Sequence, residues 1–347
     1  MRRTIPISGT PFGKSLKSLL FIGLSVLILA WLLPSPTPAR AETCGTVPAC
    51  IQQLRYAETR NLRESAARYL GERGAGEAVP YLAEALSKDV SEFVRIQSAK
   101  SLILIGSSDA LKALTEAAQN DASYLVRATA TRALGEFTGD EILLALKAIA
   151  EKDEFWQVRA AAVEALGLNK TGGGVDVLTA LIRREARSEV RIQVLHSLAR
   201  MPGDTVAEAL LTALKGDKDP LVRAEAAKSL RKTKGKEVTA TLVGQLSAEP
   251  DRDVRLAIAT LIGNRMEEEA VPALVISVRD DPALEVRLAA TRSLGEIGND
   301  PAKDALSYYS SESQFAEIRN TAILALDQLQ AREANKPPPP PVTDSGK

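Results

Sequence analysis

Residues 121–135 read Asp-Ala-Ser-Tyr-Leu-Val-Arg-Ala-Thr-Ala-Thr-Arg-Ala-Leu-Gly, and the pattern of this stretch returns every 32 residues. Its first arginine, Arg127, is one of nine at that spacing, and each of the nine follows an aliphatic residue. The other eight are Arg63, Arg95, Arg159, Arg191, Arg223, Arg255, Arg287 and Arg319. A fixed period of this length without insertions is typical of a stacked array of helical repeats. Such an array leaves little room for a catalytic loop.

Each 32-residue unit contains two helical patterns. In the first, a leucine that recurs from Leu82 to Leu306 has apolar neighbours three and four residues away, which predicts one buried face. The second pattern carries the arginine, and glycines such as Gly71 and Gly263 follow its apolar residues, where a C-terminal cap is expected. We therefore expect an all-α protein, a right-handed α-solenoid of about nine 32-residue helix-turn-helix repeats.

The two ends of the chain differ in composition from the repeats. In residues 1–41, basic residues precede an apolar run at 19–33 and an Ala-x-Ala pattern at 39–41, which predicts a cleaved signal peptide. The alternative is an uncleaved N-terminal anchor, and membrane contact is expected only through residues 19–33. Residues 42–333 form the predicted solenoid. Residues 334–347 contain Pro337 to Pro341 and are expected to be a disordered proline-rich tail. An exported protein of this kind is periplasmic or extracellular, or else it stays anchored in the inner membrane.

Charge and cysteine content exclude several classes of protein. The chain has 44 basic and 44 acidic residues. Residues 1–41 hold five basic residues and no acidic one, so the remainder carries 39 − 44, a net charge of −5. A mildly acidic body is not expected to bind nucleic acid. The only cysteines, Cys44 and Cys50, favour a disulfide in an exported protein, and two thiols without a nearby histidine make a poor metal site. We expect no cofactor and no metal.

A complete repeat pattern has Asp121, Arg127, Ala130, Leu134 and Gly135 at fixed spacing. This pattern resembles the HEAT-like repeats of phycobilisome lyases and their relatives, and the similarity covers essentially the whole chain after residue 41. The resemblance implies a solenoid fold. It says little about function, because such repeats serve lyases, scaffolds and regulators alike.

An acidic residue stands six residues before most of the recurring arginines, in the turn between the two helices. A cation in the first turn of a helix opposes the helix dipole, so these arginines need anionic partners. The expected ladder ties neighbouring turns together and is structural, because an active site would occur once and not in every unit. Its members are Asp89, Arg95, Asp121, Arg127, Asp153, Arg159, Glu185, Arg191, Asp217, Arg223, Glu249, Arg255, Asp281 and Arg287.

One side of each second helix is expected to face away from the core. If the arginine is position 0, positions +1 and +5 lie opposite the core positions −1, +3 and +7. Position +5 is mostly basic, and position +1 includes several aliphatic residues. Second helices line the concave surface in arrays of this type, so we expect a partner-binding groove there. Its residues are Arg68, Ile96, Lys100, Arg132, Ile192, His196, Lys228, Leu256, Leu288 and Arg292.

The expected function is that of a non-enzymatic, exported scaffold that binds a protein or peptide of acidic or amphipathic character on its concave face. The single histidine, His196, excludes the di-iron hydroxylase variant of this architecture, which needs several His-Glu pairs. Two alternatives stay open at this point. One is a bilin or chromophore lyase, or a lyase-like subunit, which the resemblance implies. The other is a membrane-tethered regulatory adaptor.

Overall fold

The computed structural model describes residues 44–168, 173–201, 203–233 and 235–335. Eighteen α-helices lie in these described ranges and form nine consecutive antiparallel pairs, one pair for each repeat. The first helices of the pairs are α1 (Val47–Tyr56), α3 (Val79–Lys88), α5 (Leu111–Asn120), α7 (Asp140–Lys152), α9 (Gly174–Arg184), α11 (Asp204–Gly216), α13 (Lys236–Ala248), α15 (Val271–Asp280) and α17 (Asp300–Glu312). The second helices are α2 (Arg60–Glu72), α4 (Glu92–Ile105), α6 (Tyr124–Leu134), α8 (Trp156–Leu168), α10 (Ser188–Leu198), α12 (Pro220–Ser229), α14 (Arg252–Arg265), α16 (Leu284–Ile297) and α18 (Ala316–Ala334).

The all-α solenoid predicted from the 32-residue period is confirmed. Its core is a continuous column between the two layers of helices, in which the recurring leucines of the first helices, such as Leu82, are fully buried. Cys50 occupies the same column in the first repeat and is also fully buried. Local capping agrees with the pattern, since the Thr46 side chain accepts a hydrogen bond from the Ala49 N–H at 3.4 Å. Prolines such as Pro48 stand in the first turn of their helices, where a missing N–H leaves no hydrogen bond unmade.

The glycines that recur near the ends of the second helices have a different role from the expected C-terminal cap. Gly71 and Gly263 are not left-handed C-terminal caps, because α2 and α14 continue past them. A Cβ atom at Gly71 would lie 2.7 Å from the Cα atom of Ser101 in the next second helix. The hydroxyl of Ser101 in turn donates to the carbonyl oxygen of Ala67 at 2.7 Å. These glycines therefore allow neighbouring second helices to pack backbone against backbone.

This close approach determines which side of the array is concave. Neighbouring second helices pack more closely against one another than neighbouring first helices do. The same contact between a small residue and a serine recurs at Gly167 with Ser197, and at Gly263 with Ser293. Because successive repeats stand closer together on the side of the second helices, the array bends toward that side. The second helices therefore line the inner face of the solenoid, and the first helices line the outer face.

The segments expected to be a signal peptide and a proline-rich tail lie almost wholly outside the described residues, which begin at Cys44 and end at Asn335. Within the described ranges, no helix is both long enough and apolar enough to span a bilayer.

Candidate functional site

Each rung of the ladder joins the turns of two successive repeats. The Nη1 group of Arg95 donates to the carbonyl oxygen of Asp89 in its own turn at 2.9 Å. Its Nε and Nη2 groups donate to the carboxylate of Asp121 in the following turn, at 2.7 and 2.9 Å. The arginine thus pairs with the acidic residue 26 positions later and not with the carboxylate six positions earlier. This two-point geometry is the strongest form of a hydrogen-bonded ion pair.

Seven rungs share this geometry. In none of them is either side chain more than 14% exposed, so the pairs are largely shielded from water. The hydrogen bond to the carboxylate raises the pKa of each rung arginine, against the opposing effect of burial. The pairs are Arg63–Asp89, Arg95–Asp121, Arg127–Asp153, Arg159–Glu185, Arg191–Asp217, Arg223–Glu249 and Arg255–Asp281.

The carboxylates also shape the turns in which they lie. One oxygen of Glu185 accepts a hydrogen bond from the N–H of Arg187 at 2.8 Å, just where α10 begins. Burial alone would raise the pKa of Glu185, but hydrogen bonds from Arg159 and the Arg187 backbone bring it below its ordinary value. The carboxylate is therefore held in its charged form by the fold.

The ladder does not continue to the C-terminal end. Arg287 was expected to belong to it, but Ser313 stands where the following repeat should supply the acidic residue. No salt bridge of Arg287 is found among the described residues. Its Nε instead donates to the carbonyl oxygen of Val278 at 2.7 Å, and its guanidinium lies 4.1 Å from the ring centre of Phe315. The guanidinium of Arg287 thus contacts the last repeat through the ring of Phe315, whereas its hydrogen bond to Val278 stays within its own repeat.

Position +5 of the second helices forms an exposed line along the inner face, which we call the cationic column. Its basic members are exposed, and they are Arg68, Lys100, Arg132, Lys228 and Arg292. Carboxylates lie within and beside the column, so it is mostly but not uniformly basic. Glu164 occupies position +5 of its own helix, and its carboxylate lies 3.2 Å from Nε of Arg132. The carboxylate of Glu225 lies 2.9 Å from Nε2 of His196 and 3.1 Å from Nζ of Lys228.

The carboxylate of Glu225 is charged at neutral pH. Burial would raise the pKa of Glu225, but the hydrogen bonds from His196 and Lys228 lower it below its ordinary value. Lys100 and Arg292 differ, because no carboxylate within the described ranges lies at salt-bridge distance from either one. The least neutralised basic groups of the column are therefore on α4 and α16.

The aliphatic residues at position +1 were expected to be exposed, and this expectation is wrong. They are partly buried and pack against the core, since the neighbouring second helices stand close enough to cover their sides. These residues are Ile96, Ile192, Leu256 and Leu288.

A second exposed line was not identified from the sequence. Phe93 (47% exposed), Leu125 (41%) and Phe155 (37%) lie at the N-terminal ends of three successive second helices, and we call them the apolar row. Tyr124 supports the row by stacking on Phe155, with ring centres 4.9 Å apart. Arg60 lies over the ring of Phe93 at 4.6 Å. The sequence held one signal for this row, the position of its two aromatic residues. Phe93 lies two residues before Arg95, and Phe155 directly precedes the helix α8.

Cysteine, histidine and clustered metal-ligating side chains are sparse in the part of the chain that the structure describes. The sulfur atoms of Cys44 and Cys50 lie 2.06 Å apart, at disulfide distance, and no cysteine there is unpaired. The described ranges contain no cluster of three or more potential metal-ligating side chains. His196 has the Glu225 carboxylate as its neighbour and lies 43% exposed on the inner face.

Comparison with known proteins agrees with this geometry. A family model for HEAT repeats matches residues 47–135, 143–231, 175–260 and 239–327. The chain belongs to the HEAT-repeat family. A search of curated proteins by sequence found no match. The narrower resemblance to HEAT repeats of the phycobilisome-lyase type stays a prediction.

Solved structures of similar fold include large HEAT-repeat proteins. Importin beta is 14% identical, with a TM-score of 0.59, and the match covers 90% of this chain and 48% of that one. The karyopherin Kap121p, bound to the extreme C-terminus of the protein phosphatase Cdc14p, is 15% identical with a TM-score of 0.57, covering 82% and 37%. Human deoxyhypusine hydroxylase in complex with glycerol is 20% identical with a TM-score of 0.34, covering 76% and 99%. The chain spans less than half the length of the two karyopherins, and at these identities the likeness to them concerns the fold alone.

Proposed function

We propose that this HEAT-repeat protein is a non-enzymatic, exported scaffold that binds an acidic, amphipathic helix of a partner protein across its inner face. HEAT-repeat solenoids are typical of protein-interaction scaffolds. The observation that carries the proposal is the pair of exposed lines on neighbouring second helices, the apolar row and the cationic column. The proposed contact centres on α4 and α6, where both lines are present.

The spacing of the two lines suits a helix. Phe93 and Lys100 are seven residues apart on α4, which places them on the same side of the helix and about 10.5 Å apart. Leu125 and Arg132 have the same relation on α6. A bound helix is about 10–12 Å in diameter. If it crosses the second helices, it can rest its apolar side on the row and present carboxylates to the column.

The length of the partner helix follows from the spacing of the repeats. Packed helices stand about 8–10 Å apart, so Phe93 on α4 and Phe155 at the start of α8 are separated by about 20 Å. About 14 residues of partner helix cover that distance. Covering the exposed parts of the apolar row contributes about 6 kcal/mol from this side. The cost of association is of the same order, so the apolar row alone does not give tight binding, and the charge contacts to the cationic column have to contribute to the affinity.

Two synthetic helical peptides with the same apolar side test the proposal, one with glutamates and one with lysines on the adjacent side. We expect the glutamate peptide to bind at least about tenfold more tightly in fluorescence anisotropy. Lys100→Glu and Arg132→Glu should each weaken its binding severalfold. Lys112→Glu and Lys147→Glu, on the outer first helices, are matched controls and should leave it unchanged. Equal binding of the two peptides, or equal effects of the inner and outer variants, contradicts the proposal.

The same binding can be mapped on the apolar row. Leu125→Ala should weaken binding of the glutamate peptide severalfold, because it removes the central side chain of the apolar row. Leu144→Ala is the matched control, since Leu144 is 66% exposed on the outer helix α7. A loss of affinity that is the same for both variants would place the peptide away from the row.

Export is proposed from the N-terminal sequence pattern. Expression of the full chain in a bacterium, followed by measurement of the intact mass, separates the possibilities. We expect a chain that begins at Glu42, found outside the cytoplasm. A chain that keeps residues 1–41 and stays with the membrane would instead support the tethered adaptor.

A further inference from the structure

The C-terminal end of the solenoid presents an incomplete rung. Arg319 occupies position 0 of the last repeat, and its Nη1 group donates to the carbonyl oxygen of Ser313 at 2.6 Å. In seven earlier repeats, the arginine at this position binds a carboxylate of the next repeat through Nε and Nη2. No described residue accepts a hydrogen bond from these two groups of Arg319. The end of the array thus carries a guanidinium that can still bind a carboxylate.

An apolar side chain lies one turn further along α18. Ile323 stands at position +4 and is 44% exposed. Position +4 is fully buried in all eight earlier repeats, because the next repeat covers it. The residues there are Ala67, Ala99, Thr131, Val163, Leu195, Ala227, Ala259 and Thr291. We call the side of the last repeat that carries Arg319 and Ile323 the end face.

Position +8 of α18 carries a charge where most earlier repeats have a glycine. The glycine lets the next second helix pack backbone against backbone, as Gly71 does with Ser101. It occurs in five earlier repeats, at Gly71, Gly135, Gly167, Gly263 and Gly295. In α18 the residue is Asp327, which is exposed and has no basic group at salt-bridge distance among the described residues. The end face therefore does not suit a further repeat of the usual kind.

The charges of the end face are symmetric about Ile323. Arg319 lies four residues before it and Asp327 four residues after it, which is about 6 Å in each direction along the helix axis. Residues four apart lie on the same side of a helix. If a second α18 packs antiparallel with the two Ile323 side chains opposite each other, Arg319 of each copy meets Asp327 of the other. Such a surface is self-complementary, as a two-fold interface requires, whereas a parallel arrangement places Arg319 opposite Arg319.

The start of the solenoid does not fit the end face in the same way. Ala57 stands where the later repeats supply the acidic residue of the rung. Tyr69 stands where Ser101 and its equivalents lie against the glycine of the preceding repeat. If the end of one copy stacked on the start of another, Asp327 would therefore meet a phenol ring. The end face is complementary to itself and not to the other end of the array.

We propose that two copies of this chain form a two-fold dimer through their end faces, with the two α18 helices antiparallel. Ile323 packs on Ile323 at the axis, and Arg319 pairs with Asp327 of the second copy on each side of it. The dimer joins two nine-repeat arrays into one longer scaffold. It leaves the apolar row and the cationic column uncovered on α4 and α6, so this inference is independent of the proposed partner site.

The size of the end face indicates a reversible dimer. The helices α18 and α17 have 19 and 13 residues and are about 28 and 20 Å long. With a width of about 10 Å for each helix, the end face measures about 500 Å² in each copy. A dimer therefore buries about 1,000 Å², which is at the lower end for specific interfaces. We expect monomer and dimer to exchange as the protein is diluted.

Charge reversal tests the pairing in the full chain, with sedimentation velocity as the measurement. Arg319→Asp and Asp327→Arg should each weaken dimerisation at least about tenfold, because both pairs then become repulsive. An equal mixture of the two variants should dimerise again, because every carboxylate then faces a guanidinium. This recovery requires two folded chains, so it separates loss of the contact from loss of the fold. The control Asp304→Arg, on the exposed side of α17, should dimerise like the unchanged protein.

Two results of this experiment overturn the proposal. One is an unchanged protein that stays monomeric at millimolar concentration, which would mean that the end face is free or has another occupant. The other is a dimer that both reversals leave intact, or that the mixture of the two variants does not restore. Such a dimer would use a different surface.

A single engineered cysteine tests the position of the axis. Cys44 and Cys50 are already paired, so Ile323→Cys supplies the only free thiol. At the axis, it meets its own copy within the distance that a disulfide requires. We expect disulfide-linked dimers to form at least about tenfold faster than with Thr212→Cys, since Thr212 is exposed on α11. Equal rates of cross-linking for the two variants overturn the antiparallel placement.

Discussion

Replacing one rung arginine with an apolar side chain should destabilise the solenoid strongly. Arg191 and Asp217 form the best-shielded rung, with side chains 4% and 7% exposed and hydrogen bonds of 2.7 and 2.8 Å. Arg191 also donates to the carbonyl oxygens of Glu185 and Ala186 in its own turn, at 3.1 and 2.9 Å. The substitution Arg191→Met keeps much of the volume of the side chain and removes all four hydrogen bonds.

The size of the effect follows from the carboxylate that is left behind. Removing one partner of a buried ion pair costs about 3–5 kcal/mol, because the other charge stays buried without its counter-ion. Asp217 keeps one hydrogen bond, from the N–H of Asp219 at 2.9 Å, which favours the lower end of that range. We therefore expect Arg191→Met to lower the free energy of unfolding by about 3 kcal/mol. For a chain of this size, that corresponds to a fall in the melting temperature of about 6 °C.

Urea denaturation followed by circular dichroism, with hydrogen exchange of α10 and α11, measures the effect. Repeat arrays can unfold in parts, so the exchange data show whether the loss is local to this rung. Arg68→Met, on an exposed side chain, is the matched control and should change stability by less than about 0.5 kcal/mol. In the double variant with Asp217→Leu, much of the lost stability should return, because no buried charge remains. A loss below about 1 kcal/mol, or a double variant less stable than Arg191→Met, would refute the role given to the rung.

Three further predictions concern other parts of the same framework. Because the folded-state pKa of Glu185 is lowered, its contribution is present at neutral pH and is lost as the pH falls below about 4.5. In acid titrations, the Glu185→Gln variant should therefore lose less stability over that range than the unchanged protein. Gly71→Ala should lower the free energy of unfolding by about 1–3 kcal/mol, because the added Cβ atom crowds the next second helix. Gly244 has open space around it in α13, so Gly244→Ala should raise the free energy of unfolding by about 0.5 kcal/mol. Thermal unfolding measures both effects. Ser313→Asp should supply the missing carboxylate and slow hydrogen exchange at the last joint severalfold; the control Ser311→Asp, exposed on α17, should not.

The 32-residue period was sufficient to predict the fold, because every repeat buries similar residues at equivalent positions. A buried leucine such as Leu82 can be recognised from its recurrence alone. The role of Gly71 could not be recognised in this way. A glycine near the end of a helical pattern predicts a cap as well as it predicts close packing, and only the distance to Ser101 distinguishes the two. Contacts between repeats depend on the angle at which successive pairs stack, which the period does not specify.

The candidate site was harder to predict for a similar reason. Helical geometry alone placed Lys100 and Arg132 correctly on an exposed side. It could not show that Glu164 reaches Arg132 from the next repeat, or that neighbouring helices half-cover Ile96. It also gave no reason to group Phe93 with Phe155, because Phe93 lies two residues before its arginine and Phe155 lies four residues before its own. Surfaces formed across repeats require the stacking distance as well as the repeat pattern.

The structure separates the residues that build the array from those that face solvent, although both lie on the same helices. On α4, Arg95 holds the following repeat, whereas Lys100 has no carboxylate at salt-bridge distance in the described ranges. A substitution at Lys100 is therefore expected to change stability by less than about 0.5 kcal/mol, and one at Arg95 by several times more. Because the two positions are independent, the exposed columns can change from repeat to repeat while the stack keeps its 32-residue period. The proposed partner would therefore be recognised at the irregular exposed positions, whereas the regular arginines hold the repeats together.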